Sequence, residues 1–495
     1  MHKETRQGTL TCRHDMKIVL YGRYPLSQLQ IQKQMVLVNG NNVTCIQMLQ
    51  PEEMNKADSL RKNVTLWISK KNKVHAAKPK RTIKRESFEE SLKTIMIIGH
   101  CFGLMPVDGL INSKKRGVSF SWISWRCLYS SLLFMGQIFM CLMCFNDIIQ
   151  SSASLNVTTP AIFYSSTCIT MAMFLHVASN WPKLIKHVVK TEDLDPNMDT
   201  SLTFKCNMTC AIVLTLALLE HILSLVSAFT GAMVCYPNTN VYEGFVKFFY
   251  PWVFKFLPYT TLLGMITQFL HFQATFIWNF SDLFVICMSY YLTSRLENIN
   301  KKLILVQGKY LSELFWRSTR EDYGRATQLV RKIDEVISGI VFISFANNLF
   351  FVCLQLFNTL EDGIKGTGEC RGNRLEGKSP FGGYEAGAYF LFSLIYLISR
   401  SIAVSLIASQ VNSASTVAAP ILYDVPSPVY CIEVQRFIDQ VNGDKVALSG
   451  LQFFTVTRGL LLTIAGTIVT YELVMFQFKT PQQPAGSQST PNVTN

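Results

Sequence analysis

The sequence predicts an all-α, polytopic membrane protein with seven transmembrane helices, and three observations carry that prediction. Of its 495 residues, 49% are hydrophobic and only 16% charged, a balance too apolar for a soluble domain of this length. Seven stretches close to the roughly 20 apolar residues that a span needs follow one another, at 121–147, 158–180, 206–231, 262–292, 335–360, 386–411 and 459–478. With the N-terminus placed inside, the cytoplasmic segments hold 37 lysines and arginines and the outer segments seven. Short cytoplasmic loops retain basic residues, so the chain should thread with its N-terminus inside and its C-terminus outside.

The elements can be taken in order. Residues 1–85 are a basic cytoplasmic arm that carries most of the net charge of +13, with bases crowded between Arg61 and Arg85. The arm suits either attraction to anionic inner-leaflet lipid or a solvated leader. No nucleic-acid module accompanies the charge, so no nucleic-acid partner is expected. The first 90 residues show no secretory apolar core, so no cleaved signal is expected. Residues 86–120 contain the weaker run "LKTIMIIGHCFGLMPVDGLI", broken by Gly99, Gly103, Pro106 and Asp108, which reads as interfacial or docked. Residues 121–411 hold spans one to six. Between the fourth and fifth, residues 293–334 keep a helical apolar spacing, so both spans should continue as helices below the membrane. Residues 412–458 are cytoplasmic, with further helix expected over 428–457, and suit an oligomerisation base. The seventh span, 459–478, leads to an extracellular tail at 479–495.

Enzyme motifs do not stand up. "GNRLEGKS", Gly372 to Ser379, fits a phosphate-binding loop, yet no strand precedes it, no helix follows it, and the threading puts it outside the cell. No catalytic residue, metal site or cofactor is assigned. The 14 cysteines lack metal-ligand spacing; Cys141 and Cys144 form C-x-x-C inside a span, where packing explains them. Cys235 and Cys370 fall in different outer loops and are expected to bridge. Of the sequons, Asn156 and Asn492 lie outside and can carry glycan, whereas Asn42, Asn63 and Asn207 face the cytoplasm.

Polar residues within spans are costly in lipid and mark partners, cavities or pores. Several meet near one depth: Glu220 and His221 in the third span, Trp278, Asn279 and Asp282 in the fourth, Asn347 and Asn348 in the fifth, Ser393 and Tyr396 in the sixth. Aromatic faces beside amides and carboxylates suit a small polyhydroxylated ligand; an interhelical network that holds the bundle together would use the same residues. In the last span, Thr463, Thr467, Thr470, Val474 and Gln477 recur at intervals of four and three on one narrow face. Copies of that stripe about a symmetry axis would line a water-filled path, which makes an oligomeric channel; a packing seam of small residues is the alternative. Glu472 points away from the stripe and is expected to be hydrogen-bonded within its own subunit.

The segment "TYELVMFQF" resembles the C-terminal signature of insect gustatory receptors, and its Tyr-Glu-Leu form resembles their sugar-receptor branch. "ESFEESLKTIMIIGHCFGLMPVDG", "LALLEHILS", "WNFSDLFV", "NNLFFVCLQL" and "RSIAVSLIAS" agree in order, so the resemblance covers residues 86–478. It implies a taste receptor of the plasma membrane acting as a sugar-gated, non-selective channel for monovalent and divalent cations. The subunits would form a homotetramer or a heteromer with related receptors. Sugar would bind in a cavity among the second to sixth spans, open to the outside, and Gln477 and Phe478 would fall at the gate. A seven-span transporter or a metabotropic receptor for a small polar ligand remains the alternative, although a transporter would be expected to show internal repeats that are not evident.

Overall fold

Residues 265–307 form the longest run in the chain without glycine or proline, and the helix they make is the one round which the fold is built. The computed structural model describes residues 7–12, 16–21, 34–39, 42–47, 87–109, 117–151, 155–195, 199–362 and 384–477. The chain divides into two units, Met1–Lys84 and Arg85–Asn495.

The first unit holds four strands, β1 (Gln7–Cys12), β2 (Met16–Tyr21), β3 (Gln34–Asn39) and β4 (Asn42–Gln47). They pair antiparallel in chain order. An all-α reading did not expect them. Their signal is in "MVLVNGNNVTCIQ", where two β-prone runs flank an Asn-Gly turn pair.

Among its described residues the second unit is helical apart from one short hairpin and an isolated bridge between Asp108 and Ser119. In order it contains α1 (Phe88–Cys101), α2 (Trp125–Gln150), α3 (Leu155–Leu194), α4 (Leu202–Cys235), α5 (Val241–Phe249), α6 (Pro251–Phe254) and α7 (Thr261–Val306). These are followed by α8 (Glu313–Asp362), α9 (Tyr384–Thr416), α10 (Ala418–Tyr423), α11 (Ile432–Gly443) and α12 (Arg458–Gln477). Five of these stretches are long and apolar enough to cross a membrane: α2, α4, residues 157–194 of α3, residues 313–359 of α8, and residues 384–423 through α9 and α10. The chain is thus a multi-pass membrane protein. α7 is not in that set, because His271, Gln273, Asn279 and Asp282 interrupt its apolar run.

α7 starts where the Thr260 hydroxyl accepts from the Leu263 amide at 3.3 Å, and it ends just before Gly308, whose φ of +74° suits a helix stop. Residues 279–289 are buried on every side, as a helix at the centre of a bundle must be. α3, α4, α8 and α9 pack round it. α1, of 14 residues, is too short to span at about 1.5 Å per residue. It docks through buried Phe88, Leu92, Ile95 and Met96, and its first amide, on Phe88, donates to Glu192 Oε1 at 3.0 Å. Glu192 also accepts from the Tyr291 hydroxyl at 3.2 Å.

As expected, the helices over 262–292 and 335–360 continue past those stretches, to Val306 and from Glu313. Two features were not expected. Residues 241–254, outside the expected spans, form α5 and α6, because aromatic residues on α5 bury against α4 and α7. The helix expected over 428–457 stops at Gly443 and gives way to a hairpin of β5 (Ser449–Gly450) and β6 (Phe454–Thr455). Its turn places Leu451 and Gln452 at positive φ, 48° and 62°.

That hairpin feeds directly into α12 and is gripped by α8. Asp334 accepts from the Ser449 amide at 2.6 Å and from its hydroxyl at 2.7 Å. Burial pushes the Asp334 carboxyl above the usual carboxylate range, and the two Ser449 hydrogen bonds oppose that shift. Arg331 with Asp444, at 2.7 Å, and Arg320 with Glu433, at 2.9 Å, tie α8 to the segment around α11. Asp334→Ala strands two buried donors, which costs about 1–3 kcal/mol. The purified variant should therefore melt several degrees below the parent chain, and an unchanged melting temperature would mean that the hairpin is held by other contacts.

Candidate functional site

Helix periodicity brings the mid-depth polar residues together in two groups of different character. The first is a closed network centred on a buried ion pair. Arg400 on α9 lies with its Nε 2.9 Å from Asp282 Oδ2 on α7, and the two side chains are 2% and 0% exposed. The Ser344 hydroxyl donates to Asp282 Oδ1, and Asn348 Nδ2 donates to Oδ2 at 3.1 Å. Arg400 donates to Asn279 Oδ1 through one terminal nitrogen and to Asn348 Oδ1, at 3.2 Å, through the other. The Tyr396 hydroxyl lies 2.8 Å from Asn279 Oδ1 and 3.2 Å from the Val213 carbonyl of α4. Above the guanidinium, the Trp278 ring lies 4.4 Å from Arg400 Cζ, a cation–π stack.

A neighbouring branch joins α4, α8 and α9. The Ser393 hydroxyl donates to Glu220 Oε1 at 2.6 Å and accepts from Gln355 Nε2 at 3.0 Å. The structure brings Glu220, Asn279, Asp282, Asn348, Ser393 and Tyr396 into one region, with Trp278 stacked on it. Arg400, Ser344 and Gln355 were not among the expected residues. Arg400 could have been found, since it is the only basic residue in residues 384–411. Two candidates stand apart. Among the described residues no hydrogen bond ties Asn347 into this network, for it sits about 100° round the helix from Asn348. His221 faces Phe272 and His271 instead, at ring distances of 5.1 and 5.9 Å.

The second group is aromatic and unsaturated. Trp278 packs on Phe351 at 4.7 Å and lies 6.2 Å from Phe163. From Phe163 the rings continue through Tyr164 and His271, which share a hydrogen bond of 3.0 Å, to Tyr250 and Trp252. Four buried polar atoms here have no hydrogen-bond partner: Trp278 Nε1, Tyr250 Oη, Trp252 Nε1 and Gln355 Oε1. Unmade bonds in a dry interior are expensive. Ring faces with free donors and an acceptor can receive a ligand that carries both hydroxyls and C–H surfaces.

α12 has two faces. Leu461, Ile464, Ile468 and Glu472 are half-buried at helical spacing, and Ile468 packs into the cluster that holds Phe351, Trp278 and Phe163. The other face carries Thr463, Thr467, Thr470 and Val474, all exposed, which with Gly466 and Tyr471 line an open groove. The three Thr hydroxyls donate back to the carbonyls of Gly459, Thr463 and Gly466, at 3.2, 2.9 and 2.8 Å. Gln477 ends α12, and Phe478 lies outside the described residues. Glu472 corrects its expectation: it lies on the half-buried face of α12, but neither carboxylate oxygen finds a hydrogen-bond partner.

Cys235 is disulfide-bonded; Cys370, the loop Gly372 to Ser379 and Asn492 lie outside the described residues. Asn156 sits not in a loop but in the first turn of α3, a placement that follows from α3 beginning at Leu155. Among the described residues no cluster of His, Cys, Asp and Glu could hold a metal ion.

Removing one partner of a buried ion pair costs about 3–5 kcal/mol, because the other charge stays behind unpaired. Arg400→Ala should therefore lower surface expression sharply, and the double variant Arg400→Met, Asp282→Leu should recover much of it. Full expression of the single variant would show that the pair carries no structural weight.

A family model described as trehalose receptor matches residues 43–367 and 380–487. The protein described as gustatory receptor for sugar taste 64f, from Drosophila melanogaster, is 33% identical over 397 residues, covering 79% of this chain and 81% of its own. Gustatory receptor 5a for trehalose, from the same species, is 31% identical over 79% of this chain and 85% of its own. The fold is similar to that of the insect olfactory receptor OR5 from Machilis hrabei, with a TM-score of 0.54 at 15% identity over 78% of this chain and 97% of that one.

Proposed function

Since the chain belongs to the sugar-receptor branch of the insect gustatory receptor family, and is therefore a receptor and not an enzyme, we propose that it is a sugar-gated cation channel of the plasma membrane. Four subunits, identical or related, surround one pore. The observation that carries this reading is the division of α12: one face holds to its own subunit beside the aromatic group, and the other presents an exposed polar stripe. The Thr463, Thr467 and Thr470 hydroxyls give their hydrogens to their own helix and keep acceptor lone pairs that lipid cannot use and water can.

In this reading the chain crosses the membrane seven times, through α2, α3, α4, α7, α8, α9 and α12, with the N-terminus inside and the C-terminus outside. The early part of α7 then lies toward the outer surface, so a sugar reaches Tyr250, Trp252 and His271 before Trp278. Its C–H faces lie on the rings, while its hydroxyls meet the four unpartnered atoms and, beyond Gln355, Ser393 and Glu220. The saturated Asp282–Arg400 network, with Asn279, Asn348 and Tyr396, forms the floor. Ile468 touches the same cluster as Trp278, so displacement of those rings moves the pore helix.

Thr463, Thr467, Thr470, Val474 and Gln477 line the path for monovalent and divalent cations, and a ring of Phe478 side chains closes it by dewetting. Cys235 pairs with Cys370 across the outer loops, and Asn156 and Asn492 carry glycan.

Whole-cell recording from cells expressing the chain, against a panel of mono- and disaccharides, tests the reading: at least one sugar should evoke a reversible cation current, and silence of a surface-expressed chain would reject it. Trp278→Ala removes both a ring face and a donor. It should raise the half-maximal concentration of the active sugar roughly five- to a hundredfold, the equivalent of about 1–3 kcal/mol, with surface expression kept. Phe478→Ala should pass current without sugar; a variant that reaches the surface and stays silent until sugar is added places the gate elsewhere.

A further inference from the structure

Behind α12 lies a recess of about 150 Å³ between α8, α9 and α12, with exposed Ile402 and Ala465 at its mouth. Phe345, Leu349 and Val352 come to it from α8, Ile398 from α9, and Ile464 and Ile468 from α12. We propose that this cavity is a binding site for one compact neutral hydrocarbon guest of about benzene size, which holds α12 seated on the bundle.

Its wall is wholly apolar, although three polar residues contribute to it. Each has its hydrogen-bonding hydrogens committed elsewhere, which leaves no donor for a guest. The Ser401 hydroxyl donates to the Leu397 carbonyl and that of Ser405 to the Ser401 carbonyl, both at 2.8 Å. Asn348 gives its amide nitrogen to Asp282 and its oxygen to Arg400. A buried water needs two to four polar partners, so none is held here, and a space of about 150 Å³ with aliphatic and aromatic walls takes a benzene-sized guest. A hydroxylated ligand would lose its hydration without compensation, which separates this site from the one with unpartnered donors. The volume also excludes most of a lipid acyl chain. The guest touches α12 on one side and α8 and α9 on the other, so any motion that parts them forfeits its contacts.

The full chain in lipid nanodiscs, titrated with fluorobenzene and followed by fluorine NMR, tests the site. Saturable binding at one guest per chain is expected above the linear partition into lipid. Slower hydrogen exchange in the amides of α12 should accompany it. Ala465→Leu and Ser401→Leu both fill the cavity, and each should weaken binding at least tenfold. Leu462→Phe, on an exposed part of the same helix, should leave it intact. Linear uptake alone in the parent chain, equal uptake in the filled variants, or unchanged exchange in α12 would overturn the proposal.

Discussion

The pairing of Asp282 with Arg400 is the constraint on which the rest of the bundle depends. A carboxylate and a guanidinium, both shut away from solvent, persist only if each is neutralised by the other and further hydrogen-bonded. Meeting that demand takes Ser344 and Asn348 from α8, Asn279 from α7 and Tyr396 from α9, and Tyr396 in turn reaches the backbone of α4. Four helices are thereby set at one relative depth. In lipid, where apolar contact alone gives helices little reason to prefer one register, such a polar knot specifies it.

Once the register is set, the remaining side chains fall into two chemistries that share an edge at Trp278. On the deep side every polar group is answered by another. On the other side ring faces alternate with donors that nothing answers. Trp278 belongs to both, with its face on Arg400 and its Nε1 unpartnered. The same residue that caps the rigid knot therefore borders the region best able to change its partners.

Much of this was legible in the sequence because lipid makes polar residues expensive and so informative. The depth-matched residues Glu220, Asn279, Asp282 and Asn348 could be picked out for that reason, as could the stripe on α12. Arg400 stands as the only basic residue of 384–411, but its partner Asp282 lies on another helix far away along the chain, so the sequence shows the charge without the pair that accounts for it. Asn347 was over-read, since adjacent positions on a helix point about 100° apart and only Asn348 faces the knot. The hairpin before α12 was hidden by a helical apolar spacing, and only the grip of Asp334 on Ser449 reveals it. The strands β1 to β4 have only six residues each, and runs that short carry a weak period-two signal.

The one-sided seating of α12 has a consequence for how the protein is made. Leu462, Val469 and Leu473 remain 76%, 58% and 60% exposed, and no described side chain of α12 is fully buried. Whatever covers its free face supplies stability that the lone chain lacks, and by mass action that stability grows with the local concentration of partners. In the proposed channel, maturation of α12 is then coupled to the density of chains in the membrane where they are inserted. A cell that makes few copies would hold them as folded bodies with an unfinished end, open to quality control.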